Sequence, residues 1–470
     1  MRKTKIVCTI GPASEKPELL EKLIIAGMNV VRLNFSHGTY DEHKVRIESV
    51  KKIREKLNKP IPIMLDTKGP EIRLGKFKAP FVEIFSGKHF TLTTRDIEGD
   101  ATIAGISYMN LTKEVSKGSK ILIADGTIEL EVMDYNDTDV RCEIITGGIL
   151  SDRKNVNIPG AISKLPAITE NDISDINFGI DNDIDLIAAS FIRKASDIIE
   201  IKKVLESRNA LGIKVIAKIE NQEGVDNVDE ILKVADGLMV ARGDLGVEIP
   251  TEDIPLAQKL LISKANSYGK PVITATQMME SMIKNPRPTR AEVTDIANAI
   301  FDGTDAVMLS GETAVGLYPL ETVTTMAAVA ERTEKALDYK KNLDKKMKDK
   351  MTVTNAISLA GCSVASDLNA SAIISPTQSG YTARMVSKYR PQAPIIAATP
   401  DVKVARGLNI SFGINPIIIS ATESTDEIIQ NSVEKAVELG FIKKDDLIII
   451  TAGIPVGTVG TTNLIKVHVV

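Results

Sequence analysis

Through the first 67 residues, short β-branched runs alternate with stretches whose apolar residues recur every three or four positions. Lys5 to Ile10 predicts a strand, and Leu19, Leu20, Leu23 and Ile24 then fall at helical spacing. Val30 to Asn34 predicts a second strand, Val45, Ile47, Val50 and Ile53 a longer helix, and Ile61 to Asp66 a third strand. The rhythm stops at Lys68-Gly69-Pro70. It resumes at Thr169-Glu170-Asn171-Asp172, which has the form of a helix N-cap with an acidic first turn. Between these points Phe81 to Phe85, His89 to Thr94, Lys120 to Ala124, Thr127 to Met133 and Val140 to Ile145 alternate with period two, and Asp125-Gly126 and Asn136-Asp137 supply hairpin-turn chemistry. An all-β segment therefore interrupts an α/β chain.

After Thr169 the alternation brings five more strand candidates, Leu186 to Ser190, Val215 to Ile219, Leu238 to Ala241, Val272 to Thr276 and Ala306 to Ser310. With the first three they make the eight β-α units of a closed (β/α)8 TIM barrel, and strands apolar on both faces are what such a barrel requires. Asn34, Asp66, Ser190, Lys218, Glu220, Arg242, Asp244, Thr276 and Ser310 lie at or just past strand carboxyl ends, the rim where barrels do their chemistry. Tyr339 to Met351, with six lysines in thirteen residues, predicts a solvated helix end and linker. Beyond it come a helix at Thr354 to Leu368, strands at Ala372 to Ser375, Ile395 to Ala398, Ile417 to Ile419, Leu447 to Thr451 and Leu464 to Val470, and helices at Val402 to Leu408 and Thr425 to Leu439. The expected domains are a barrel over 1–69 and 168–344, an inserted β domain over 70–167, and a C-terminal α/β open-sheet domain over 345–470.

Length and charge narrow the function. A chain of 470 residues suggests about three domains at ~150 residues each. A balance of 58 Lys+Arg against 62 Asp+Glu provides no positive field for a polyphosphate backbone, which excludes nucleic acid as a partner. Three widely separated cysteines, Cys8, Cys142 and Cys362, argue for a reducing compartment and against a cysteine-built metal site. The run Ile6 to Ile10 is too short for a signal-peptide core, and no apolar stretch approaches the ~18 residues of a membrane span, so a cytoplasmic location is expected.

The most informative stretch is Val215 to Gly224. Lys218 and Glu220 are two apart on a strand and share a face; this arrangement suits a plain salt bridge, but Asp244 brings a second carboxylate to the same rim, with Gly243 and Gly246 allowing close approach of a ligand. Two carboxylates and a lysine suit Mg²⁺, which takes one or two protein carboxylates and leaves its other positions to water and phosphate. A second constellation joins Arg32, whose planar fork suits phosphate or carboxylate, to Asn34, Ser36, Asp66 and Thr67, a weak oxygen field matched to a monovalent cation. Among the four histidines only His37 lies at a strand end. No GxxxxGK[ST] loop, GxGxxG turn or GxSxG elbow occurs, so any phosphoryl chemistry relies on metal, lysine and arginine.

These blocks, together with Thr4 to Pro12, Asp66 to Arg73, Thr274 to Met278, Asn285 to Glu292 and Asp302 to Glu312, resemble the pyruvate kinase family across nearly the whole chain. The resemblance implies phosphoryl transfer from phosphoenolpyruvate to ADP, giving pyruvate and ATP, the last step of glycolysis. It implies that Glu220 and Asp244 hold Mg²⁺ (or Mn²⁺), that Lys218 neutralises the transferring phosphoryl, and that Arg32 binds phosphate. Gly243, Asp244 and Thr276 would grip the carboxylate end, with Thr276 relaying a proton. Asn34, Ser36, Asp66 and Thr67 match a K⁺ site, and Glu71 the residue associated with potassium dependence. Asn34, Phe35, Ser36, His37, Arg73 and Lys154 match nucleotide-binding positions, a second Mg²⁺ would arrive with ADP, and the inserted β domain matches a mobile lid. Asn155 and Val315 depart from the family pattern, where many members have Gly and Lys. The extra C-terminal domain of some bacterial members is not expected. A homotetramer is implied by the resemblance alone. The rival readings are a metal-dependent barrel lyase or aldolase acting on pyruvate or phosphoenolpyruvate, and a catalytically silent metabolite sensor.

One further segment points to control. Thr377, Gln378, Ser379, Gly380, Tyr381 and Thr382 lead from a strand into a helix, and hydroxyls around a glycine at a helix start predict a phosphate cradle for a phosphorylated metabolite, most simply a sugar phosphate. A second glycine-rich segment, Gly453 to Asn463, leaves another strand end of the same domain. The resemblance agrees, since fructose-bisphosphate-regulated members place their effector between matching segments.

Overall fold

The computed structural model describes residues 1–160, 165–346, 352–422, 424–454 and 461–470. Residues 347–351 of the lysine-rich segment and 455–460 of the second glycine-rich segment lie outside the described residues.

Eight strands close a barrel: β1 (Lys5–Thr9), β2 (Val30–Asn34), β3 (Ile63–Asp66), β4 (Leu186–Ala189), β5 (Lys214–Ile219), β6 (Gly237–Ala241), β7 (Val272–Ala275) and β8 (Ala306–Leu309). Each pairs in parallel with its sequence neighbours, and β8 returns to β1. The strands are apolar on both faces because both faces are covered. Inward residues such as Val7, Met64, Ile216, Met239 and Met308 fill the interior, while Cys8, Leu33, Leu65, Ala217 and Val240 pack against the surrounding helices. Ile410, from the C-terminal region, joins the interior cluster and plugs the amino end. Thr169 caps the helix Glu170–Asp181 in a capping box with Asp172, as the sequence pattern predicts.

Between β3 and β4 the chain forms a seven-stranded sheet with a core built on Phe90, Leu92, Ile121, Leu130, Val140 and Cys142. Alternation locates its longer strands, including His89–Thr93, Ile128–Tyr135 and Asp139–Thr146. The strands Ile72–Arg73, Ile103–Gly105 and Asn155–Asn157 of this sheet, and Gly148–Leu150, which pairs with Val82–Ile84 in a separate two-stranded sheet, escape the alternation pattern, because two or three residues carry no measurable period. Asn157 Nδ2 donates to Glu248 Oε1 at 2.7 Å, so this domain is docked onto the barrel rim.

The C-terminal region is an open five-stranded sheet of β9 (Ala372–Pro376), β10 (Ile395–Thr399), β11 (Ile414–Ile418), β12 (Leu447–Ala452) and β13 (Leu464–Val469). Its order is β11-β10-β9-β12-β13, and only the β12–β13 pair is antiparallel. The strand expected at Ile417 to Ile419 starts earlier, at Ile414. It carries Pro416 within it, which an edge strand tolerates because one side of its backbone has no ladder to complete. The expected linker is also corrected: Tyr339–Lys346 is a helix, and Leu343 is buried in the C-terminal core with Leu359 and Cys362. No helix among the described residues is long and apolar enough to cross a membrane.

The barrel's amino end is fastened to this region by buried charge. Asp185 accepts from Arg406 Nε and faces Arg54 Nη1 at 3.4 Å, and its carboxylate also receives the Ile63 amide at 2.9 Å. Asp305 takes a two-pronged contact from Arg390 at 2.8 and 2.7 Å and the Phe412 amide at 2.8 Å. Lys5 Nζ donates to Ile414 O at 2.6 Å. Burial pushes the Asp185 carboxyl up even against its arginines, so the pair is a specifier of docking more than a net source of stability. Removing one partner is a different matter, because it leaves two guanidinium groups buried together. We predict that Asp185→Ala costs about 3–5 kcal/mol in urea unfolding; an unfolding midpoint equal to that of the parent would contradict this role.

Candidate active site

Parallel strands that end at one rim bring side chains from distant parts of the chain within contact. Asp66, the last residue of β3, lies at the centre. Its Oδ2 accepts from Arg32 Nε of β2 at 2.6 Å and its Oδ1 from Lys218 Nζ of β5 at 3.0 Å. Lys218 Nζ also reaches Ser190 Oγ at 2.6 Å and Glu220 Oε1 at 2.9 Å. Glu220 Oε2 receives the Phe191 amide at 2.6 Å, and Arg32 Nη1 donates to Thr9 Oγ1 at 2.8 Å. A continuous polar chain thus runs from β1 to the end of β5, with Asp66 and Glu220 only 1% exposed.

Electrostatics divide this chain into two parts. Burial alone would lower the Lys218 pKa, but Asp66 and Glu220 reverse that and raise it above its ordinary value, so the ammonium stays charged. Burial pushes Asp66 up, and Arg32 and Lys218 outweigh it to leave the carboxyl below its usual range. Glu220 is pushed up to about 7 by burial and by Asp244, against the pull of Lys218. Asp244, open to the cavity under the inserted domain, is also raised, chiefly by the protein closing around it, and hydrogen-bonds to Glu220. Two carboxyls in hydrogen-bond contact share a proton between them, and a hard divalent cation would satisfy the same oxygens in the proton's place.

The other side of the rim is strained. Thr276 (φ 68°), Gln277 (φ 55°) and Phe191 (φ 55°) adopt left-handed backbone that β-branched and bulky residues avoid. Arg242 holds this turn: Nη2 donates to Thr276 O at 2.7 Å, and Nη1 to Asp295 Oδ2 at 2.6 Å. The Thr276 hydroxyl accepts from the Gly243 amide at 2.8 Å and donates to Ala275 O at 2.5 Å, so Gly243, Asp244 and Thr276 meet at one edge of the site. Sequence reading gave no role to Thr9, Phe191 or Asp295. Position past a strand end could have flagged Phe191, whereas nothing local marks Asp295.

Asn34 and Asp66 are register partners on adjacent strands, and the Phe35 amide donates to Asp66 O at 3.0 Å. Asn34 Oδ1 accepts from the Ser36 amide at 3.1 Å, and Thr67 Oγ1 from the Ser190 amide at 3.1 Å. The set Asn34, Ser36, Asp66 and Thr67 is thus gathered at neighbouring strand ends, and with Asp66 already countered by Arg32 and Lys218 its remaining field suits a monovalent cation. Phe35 stacks on His43 at 4.1 Å, and His37 is exposed on the loop after β2. A cavity of about 400 Å³ lies between the inserted domain and the rim, with Glu71, Asn155, Phe191, Asp244 and Glu248 in its walls. Arg73 pairs with Glu71 at 2.5 Å, and exposed Lys154 accepts from the Leu74 amide at its carbonyl, which puts Arg73 and Lys154 on neighbouring segments of the inserted domain. Asn155 bonds Asp125 at 2.7 Å, and Val315 is exposed. Residues Thr377 to Thr382 are remote from all of this, on the loop leaving β9. There the helix Tyr381–Ser387 has only seven residues and starts at Gly380 (φ 78°) without a side-chain cap. Thr382 Oγ1 accepts from Thr462 at 3.1 Å, which joins this loop to the second glycine-rich segment.

Comparison with known proteins is consistent over the whole chain. Family models described as "Pyruvate kinase, barrel domain" and "Pyruvate kinase, alpha/beta domain" match residues 1–323 and 355–468. A pyruvate kinase of Clostridium acetobutylicum is 54% identical over 472 residues, covering 100% of both chains. One from Staphylococcus aureus (strain MRSA252) is 53% identical and covers 100% of this chain and 81% of its own length. The crystal structure of a pyruvate kinase from Cryptosporidium parvum superposes with a TM-score of 0.94 at 41% identity, covering 100% of this chain and 96% of that one.

The strained turn has a measurable signature. Thr276→Gly and Thr276→Ala both remove the hydroxyl, but only glycine relieves the positive φ, so the Gly variant should be more stable by about 1 kcal/mol. Equal or reversed unfolding midpoints would show that the turn stores no such strain.

Proposed function

The chain belongs to the pyruvate kinase family, and from that premise we propose how its barrel rim performs the family's reaction. The enzyme is a phosphotransferase that moves the phosphoryl group of phosphoenolpyruvate to ADP, giving pyruvate and ATP. The observation that carries the site assignment is the ammonium of Lys218, held charged between Asp66 and Glu220 at a strand end. Arg32, fixed by Asp66 and Thr9, presents its guanidinium to the substrate phosphate. Lys218 offsets negative charge on the phosphoryl in flight, where catalysis is mainly positioning and electrostatic stabilisation. The bond from phosphorus to the enol oxygen breaks, a bond to the terminal ADP oxygen forms, and the enolate left behind takes a proton at its methylene carbon. Thr276 relays that proton, and with the Gly243 and Asp244 backbone it grips the carboxylate. Glu220 and Asp244 are the residues that would hold Mg²⁺ or Mn²⁺, which supplies charge neutralisation to the substrate oxygens when bound. Asn34, Ser36, Asp66 and Thr67 would hold K⁺, with Glu71 setting the potassium dependence. Asn34, Phe35, Ser36, His37, Arg73 and Lys154 line the ADP path. The inserted domain closes the cavity and keeps water from accepting the phosphoryl group.

The C-terminal region we assign to control. A phosphorylated metabolite binds Thr377, Gln378, Ser379, Gly380, Tyr381 and Thr382, a reading supported by the Thr382–Thr462 contact that folds one glycine-rich segment toward the other. The working form is a cytoplasmic homotetramer, which sedimentation at micromolar concentration would reveal.

Two outcomes test the site. Lys218→Met should lower kcat by about 10²–10³-fold while leaving the KM for phosphoenolpyruvate within a few-fold, because the lost charge acts on the transition state; a near-parental kcat would remove its assigned role. Glu220→Gln and Asp244→Asn should each raise the Mg²⁺ concentration for half-maximal rate, and the parent enzyme should be faster in K⁺ than in tetramethylammonium at equal ionic strength. Unchanged titrations in both variants would place the metal elsewhere, and equal rates in the two salts would dismiss the potassium site.

A further inference from the structure

At the end of the barrel opposite the catalytic rim, a second cavity of about 120 Å³ opens between the strand starts and the helix Tyr381–Ser387. Its walls include Lys214, Lys270 and Arg384, with Asp236 as the facing carboxylate. Asp236 is already engaged by the Val215 amide at 3.0 Å and by Lys202 at 3.4 Å. Arg384 has one hydrogen bond among the described residues, from Nη1 to Ser379 O at 3.2 Å, and Lys214 has no side-chain hydrogen bond or ion pair among them. Lys270 Nζ donates to the carbonyls of Leu232 and Ala235. The cavity shares Gly269, Lys270, Pro271 and Arg384 with an adjoining void of about 10 Å³, into which Lys388, Arg390 and Ser411 also project. Arg390 Nε and Ser411 Oγ in that void are buried and lack any partner, although the residues are only 7% and 3% exposed. Asp305, the other carboxylate nearby, is consumed by Arg390 and by the Val272 and Phe412 amides.

The seam therefore holds cations in excess of carboxylates, together with buried donors that nothing satisfies. Such donors are rare in native proteins; the small void beside them has room for a water at most, so it is the larger cavity against Lys214, Lys270 and Arg384 that has room for a ligand. Burial drives Lys270 down to about 8, with Lys202 and Arg384 adding to it against the pull of Asp236, and burial also lowers Arg384. Tyr381 adds a half-buried aromatic wall.

We propose that this seam is a binding site for a phosphate group, held by Lys214, Lys270 and Arg384 and bridging the barrel's amino end to the C-terminal sheet domain. It is distinct from the loop site at Thr377 to Thr382, although Arg384 touches both through Ser379 O. Free phosphate and a small phosphomonoester present the same chemistry here, so both serve as probes. The test uses the full-length enzyme titrated with inorganic phosphate and, separately, glycerol 1-phosphate, with hydrogen exchange read by peptide and affinity read by calorimetry. Protection should appear in peptides covering 266–272 and 381–390, and should persist in the Ser379→Asp/Thr382→Asp variant. Lys214→Met, at a side chain with no structural partner to lose, should weaken that binding about tenfold or more, as should Arg384→Gln. Protection by inorganic phosphate alone identifies free phosphate as the ligand, and protection by the monoester identifies an organic phosphate. The proposal fails if protection is confined to the catalytic rim or to 377–382, if the loop variant abolishes it, or if Lys214→Met binds both probes as the parent does.

Discussion

The carboxylate of Asp66, shared between Arg32 and Lys218 inside a closed barrel mouth, is the constraint on which the catalytic rim depends. An ionised carboxylate at 1% exposure is tolerable only if its oxygens are matched, and here each oxygen meets a cation, at 2.6 and 3.0 Å. That pairing fixes both cations in position before any substrate arrives. It leaves Lys218 charged and leaves Arg32 with an arm reaching Thr9 on the next strand. Without barrel closure β2, β3 and β5 would not deliver these groups to one point, and without the pairing burial would leave the Asp66 carboxylate with neither oxygen matched.

The same economy of buried charge appears at the other end of the barrel with a different purpose. Asp185 and Asp305, at the strand starts, bind arginines of the C-terminal region, while Ile410 fills the interior beneath them. The C-terminal region is thus docked at the amino rim, at the opposite end of the close-packed strands from the Asp66 cluster.

Strain is distributed with equal economy. Thr276, Gln277 and Phe191 hold left-handed backbone around the site, and Arg242, anchored by Asp295, clamps the carbonyl of Thr276. The clamp keeps the Thr276 hydroxyl against the Gly243 amide, one residue before Asp244. The inserted domain rests on the helix Arg242–Glu248 through Asn157, so closure of the cavity and the clamp share one element.

Much of this was legible in the chain itself. Strands apolar on both faces specify a sheet covered on both sides, and it is the count of eight β-α units that points to a closed barrel where the C-terminal strands, equally buried, form an open sheet. The two-residue spacing of Lys218 and Glu220 specifies a shared face, because pleating makes it so. Local pattern could not reach the short strands of the inserted domain, the edge strand that runs through Pro416, or the helix at Tyr339–Lys346, whose lysines advertise solvent while Leu343 enters the core. Nor could it pair Arg242 with Asp295, or Asp305 with Arg390, since those contacts join residues 53 and 85 positions apart. Periodicity and residue chemistry act within a few residues and were therefore written in the sequence. Which oxygen meets which cation, which carboxylate is left over and which donors are buried without a partner depend on how distant strands and helices close on one another, and only the tertiary structure decided them.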